Sequence, residues 1–207
     1  MKILVIFIAV ANLVGCVNHQ QKLQDEGVRY LAMSKDEYKG IISIKDDALE
    51  PVVVLDTQSG FKQQHGLANI IWNDFFLRGY IDKKTGNKQV QVYAALVHQS
   101  GSWLQPYQAN YGAPLQTVAT ESISSNVDCA AKNLYGSCKY WEHVGFIVAD
   151  SELKRIEKAM ESADPATQIW QFKIKTRSGR DVQDIFTGSE FAALLEKMDE
   201  YNPIASQ

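Results

Sequence analysis

The chain reads as an α+β domain, a mostly antiparallel sheet with two amphipathic helices packed on it. Three observations predict this. Short runs rich in β-branched and aromatic residues recur between turn signals. Up to residue 150 those runs are joined by turns and loops rather than by long helices. Beyond it, two stretches carry apolar residues at helical spacing.

The elements follow in order. Residues 28–39 read as a short helix, with Tyr30, Leu31, Met33 and Tyr38 near helical spacing. Residues 41–45 and 52–56 read as strands, punctuated by Asp46, Asp47 and Pro51. A turn at 58–60 leads into a polar stretch carrying His65. Residues 75–81 and 89–97 form the clearest hairpin, because Gly86 and Asn87 tolerate φ > 0 in the turn between them. Residues 99–114 read as a long polar and aromatic connection, 115–124 as a strand and 139–149 as a strand apolar on both faces. Asp150-Ser151-Glu152 supplies a helix start with acid in the first turn. Leu153, Ile156, Ala159, Met160 and Ala163 then make a stripe. Residues 168–177 alternate with Trp170, Phe172 and Ile174 inward, and a turn at Ser178-Gly179 leads to a strand at 182–186. Thr187 and Glu190 fit a capping box, followed by the stripe Phe191, Leu194, Leu195 and Met198.

The first fifteen residues are of another kind. Lys2 precedes an apolar run from Ile3 to Leu13. Eleven helical residues span about 16 Å, too short for a hydrocarbon core of about 30 Å, so the run reads as a secretory signal. Leu13-Val14-Gly15-Cys16 resembles the lipobox of bacterial lipoproteins. The resemblance implies a signal peptide over 1–15, cleavage after Gly15 and a diacylglycerol thioether on Cys16, with palmitate among the acyl chains. Two or three such chains make a lasting anchor, at about 0.8 kcal/mol per buried CH₂. Val17, where Asp would favour inner-membrane retention, points to the outer membrane, with the domain facing the periplasm. Residues 16–27 are polar and Gln-rich and read as the tether, leaving 28–207 as one domain.

An exported chain with Cys129 and Cys138 left over predicts a disulfide between them. Asn133 and Gly136 in the intervening segment suit a turn. The competing metal or redox pair lacks the Cys-x-x-Cys spacing and needs further ligands. The net charge of −3 and the absence of a basic run exclude nucleic acid as a partner and leave lipid alone to hold the membrane.

From residue 75 onward the chain is similar to small envelope lipoproteins of proteobacteria with no assigned activity. The residues concerned are Phe76-Leu77-Arg78-Gly79-Tyr80-Ile81-Asp82-Lys83-Lys84-Thr85-Gly86, then Val92-Tyr93, the two cysteines and Lys139-Tyr140-Trp141-Glu142. The resemblance implies no catalytic residue.

Chemistry is sparse. His19, His65, His98 and His143 have no helical spacing to one another and no His-Glu-x-x-His is present, so a zinc site would need strands to converge with Asp74 or Glu142. Gly101-Ser102 and Gly136-Ser137-Cys138 lack the nucleophile elbow. No phosphate-binding Gly-rich loop appears, and no cofactor is expected. The one compositional anomaly is that residues 89–120 hold no Asp, Glu, Lys or Arg, in a chain that is 22% charged. Within it the sixteen residues from Gln99 to Pro114 include Trp103, Tyr107 and Tyr111. Long connections are commonly functional, and Tyr and Trp give contact area at low entropic cost. These three are the candidate binding residues, for an envelope protein or a glycan. The competing reading has them fold back as a lid on the core. The function expected is a membrane-anchored binding or assembly module without chemistry; the alternative is a small periplasmic hydrolase whose residues meet only in three dimensions.

Overall fold

A computed structural model describes residues 32–57, 73–130, 136–162 and 168–201. The lipobox with Cys16, the tether, His19 and His65 lie outside these residues. The chain divides into Met1–Ala32 and Met33–Gln207; the second unit is described here. In order it contains α1 (Lys35–Ile41), β1 (Ser43–Lys45), β2 (Val52–Asp56), β3 (Asn73–Asp82), β4 (Lys88–Ser100), β5 (Pro106–Tyr111), β6 (Gln116–Ala119) and β7 (Glu121–Asp128). There follow β8 (Cys138–Ile147), α2 (Asp150–Ser162), β9 (Ile169–Thr176), β10 (Val182–Thr187) and α3 (Gly188–Glu200).

The architecture is α+β and antiparallel throughout the described pairings, but the strands form two sheets rather than one. Six strands run in the order β1-β2-β3-β4-β8-β7 and four in the order β10-β9-β5-β6. Three helices are present among the described residues. α1, which lies only partly in the stretch expected to be helical, is set by a capping box: Ser34 Oγ accepts from Glu37 N, and Glu37 accepts from Ser34 N at 2.8 Å.

The hairpin β3–β4 forms with Asn73 opposite Leu96 and Ile81 opposite Lys88, and β8 extends it with Ala94 opposite Val144. Alternation then sends Phe75, Leu77, Val92, Leu96, Val144 and Phe146 to one buried face. The four-stranded sheet meets that face through aromatic rings. Phe75 lies edge-on to Phe172 with centroids 5.6 Å apart, and Phe146 meets Phe172 at 5.7 Å and Tyr111 at 5.7 Å. α3 fills the space beside them, setting Phe191 against Trp170 and Phe186 and Met198 against Gly79 of β3.

Two expectations are corrected here. The long connection over 99–114 is half strand. β4 runs on to Ser100, and Pro106–Tyr111 is β5, paired with β9 from Pro106 opposite Thr176 to Tyr111 opposite Phe172. The strand expected at 115–124 is two strands in different sheets, β6 and β7, broken at Thr120, whose N–H donates to Tyr107 O. Cys129 and Cys138 are disulfide-bonded, with Cα atoms 4.3 Å apart, and close the end of the β7–β8 hairpin.

Candidate functional site

A broad cleft lies on the face of the four-stranded sheet turned away from the core. It holds about 570 Å³. Because side chains alternate across a strand, burying Trp170, Phe172 and Ile174 obliges Gln171, Lys173 and Lys175 to face the opposite way. The register then assembles a row. Thr117 on β6 lies opposite Asn110 on β5, Asn110 opposite Lys173 on β9, and Lys173 opposite Gln183 on β10. At about 4.8 Å per strand, four polar side chains span roughly 14 Å in one line. Asn110 Oδ1 accepts from Thr117 Oγ1 at 3.1 Å and from Gln108 Nε2 at 2.8 Å, which orients its amide. Gln171 and Leu115 add a second amide and an apolar rim.

The cleft offers mainly hydrogen-bonding groups. Its lining contains one carboxylate, Asp184, and neither histidine, serine nor cysteine. Acid–base hydrolysis of the glycosidase type needs two carboxylates across the bond to be broken. Amides, by contrast, donate and accept at once, and suit hydroxyl-rich or amide-rich neutral ligands.

The opposite face of the six-stranded sheet carries the densest polar cluster. Arg78 donates through Nε to Asp56 Oδ1 at 2.6 Å and through a terminal nitrogen to Asp56 Oδ2 at 3.1 Å. Its guanidinium lies 4.6 Å from the centre of the Tyr93 ring, which stacks on Phe76. Tyr93 Oη and His143 Nδ1 are 2.8 Å apart. Burial pushes the Tyr93 phenol up and the His143 imidazole down. Both shifts favour the neutral form.

Of the sequence-predicted binding residues, the structure separates all three. Tyr111 is only 2% exposed. Its ring packs on Phe146 and Trp170, and its hydroxyl takes the N–H of Ala149 at 3.1 Å. It is a core residue tying β5 to the start of α2, and it also borders the 570 Å³ cleft. Burial likewise pushes its phenol up. Trp103 stands edge-on to Tyr140 at 4.7 Å, half-buried. Tyr107 is 39% exposed, with the Arg177 guanidinium 5.2 Å from its ring centre.

The histidines converge in part. His98 Nε2 lies 3.1 Å from Glu142 Oε2. Glu142 also accepts the N–H groups of Leu104 at 2.7 Å and Gln105 at 2.8 Å, so it clamps the segment entering β5 and holds Gln105 at φ 54°. Among the described residues no group of three or more His, Cys, Asp or Glu could hold a metal ion. No described helix is long and apolar enough to cross a membrane.

Sequence reasoning missed the Thr117–Asn110–Lys173–Gln183 row. The one available signal was the clean alternation of β9, which marks Gln171 and Lys173 as outward, but the partner strands were hidden by reading 99–114 as a loop. Comparison of the chain with family models, with curated proteins and with solved structures returns no match.

Proposed function

We propose that this is a lipid-anchored cell-envelope protein, held at the outer membrane through Cys16, whose globular part is a binding module for a hydrogen-bonding envelope ligand such as a glycan. The observation that carries the reading is the row of Thr117, Asn110, Lys173 and Gln183 across an open sheet face, with a single carboxylate in the cleft it lines. A broad polar face without paired acids fits capture better than cleavage.

Purified peptidoglycan fragments test it. The full chain in nonionic detergent is expected to bind them, and the combined variant Asn110→Ala, Lys173→Ala, Gln183→Ala to bind at least about tenfold more weakly, the loss of about 1.4 kcal/mol of contacts. These side chains face solvent, so the melting temperature should stay within a few degrees. Equal binding by both proteins, or none by either, overturns the reading.

The hydrolase alternative rests on the Tyr93–His143 contact. Against it, neither side chain lines the 570 Å³ cleft.

A further inference from the structure

β7 is the last strand of the six-stranded sheet, and among the described residues nothing pairs with its outer edge. All eight of its residues are exposed, including Ile123 at 43% and Val127 at 41%. The other edge strands are shorter: three residues in β1, four in β6 and six in β10. Edge strands are ordinarily blunted by Lys, Pro or brevity, because their unpaired N–H and C=O groups template another strand. β7, Glu-Ser-Ile-Ser-Ser-Asn-Val-Asp, has no Lys and no Pro; it has one register shift, between Ser122 and Ser124.

A cleft of about 260 Å³ lies beside this edge. Ser122 pairs with Val144 and Ser125 with Glu142, whose side chains point to the buried face, so both serines line the cleft on that side. Trp103 and Pro106 form its far wall. A strand added about 4.8 Å beyond β7 would send every second side chain over that opening. Val127 N–H donates to the Oδ1 of the adjacent Asn126 at 2.8 Å, a side chain standing where a partner carbonyl would.

Charge selects the occupant. Glu121 and Asp128 close the two ends of β7, with no basic residue between them. The nearby Lys139, cross-strand from Asp128, sets its ammonium 4.9 Å from the Trp141 ring centre. A second copy paired antiparallel would set Glu121 opposite Asp128, and paired parallel would stack each acid on itself; both are repulsive. We infer that β7 is a docking edge for an extended segment of a partner protein, with Lys or Arg at its two ends and apolar side chains alternating between them. This surface is distinct from the glycan-binding face.

Two synthetic octapeptides probe it, Lys-Thr-Val-Thr-Val-Thr-Val-Lys and its counterpart with Glu at both ends, each titrated against the ¹⁵N-labelled full chain in nonionic detergent. The Lys-flanked peptide should bind about tenfold tighter and shift the amides of β7 first. Glu121→Lys with Asp128→Lys should invert the preference. Val127→Pro, which removes a donor not engaged with β8, should weaken both peptides with little change in melting temperature. Equal affinity for the two peptides, absence of binding, shifts located away from β7, or a dimer joined through β7 in sedimentation would each overturn the inference. Loss of peptidoglycan binding leaves these readouts untouched, and the two ideas fail separately.

Discussion

Gly79 sits where β3 passes closest to α3. A Cβ built on it would overlap Met198 Sδ and lie 3.1 Å from Cγ and Cε of the same side chain. Met198 is wholly buried, so it has little room to yield. Gly79→Ala is therefore expected to cost about 1–3 kcal/mol, as overpacking does, and the combination with Met198→Ala to cost less than the two changes summed. Urea unfolding monitored by tryptophan fluorescence reads both; simple additivity would place the clash elsewhere. At this scale the sequence was least legible. Nothing in the order of residues marks Glu142 and Glu152 as buried acids. Glu152 stands in the first turn as expected, but it also accepts from Trp170 Nε1 at 2.7 Å and from Arg155 Nε at 2.8 Å, and the Arg155 guanidinium holds its carboxyl below the usual range. A buried carboxylate needs donors from distant strands, and those become visible only in three dimensions.

Elements were easier to read where a period was long and clean. β3, β4, β8, β9 and α3 stand near their expected places because each carries a periodic apolar face. Thr187 Oγ accepts the Glu190 N–H at 3.3 Å, as the capping pattern implies, while the Glu190 carboxylate turns inward to accept Thr57 Oγ1 at 2.7 Å. β5 was illegible for a physical reason: Pro106 and Asn110 favour turns by propensity, and pairing with β9 overrides it. Spacing also failed to rank Leu194 against Leu195. The structure does so, with Leu194 fully buried and Leu195 at the margin of the packed stripe. Leu194→Ala is expected to cost about 2–5 kcal/mol and Leu195→Ala roughly 1 kcal/mol or less. Equal losses in chemical denaturation would mean that α3 is rotated about its axis.

For the whole molecule, the lipobox makes the firmest commitment. Cys16→Ser should remain unacylated and uncleaved at residue 15, and metabolic labelling with palmitate should fall to background. A variant that still takes up label would remove the anchor from the account. The domain behind the anchor is woven rather than assembled. β5 leaves the six-stranded sheet to pair with β9, β6 pairs with β5, and the chain then returns as β7 to the sheet it left. Each sheet is thus stitched from segments on both sides of the other, and the two pairings that close them, β4 with β8 and β5 with β9, join strands far apart along the chain. No single cut divides such a weave into two self-sufficient halves. A chain made from its N-terminus must emerge as far as β10 before the smaller sheet has all its strands, so that sheet gains its stability in one late, cooperative event.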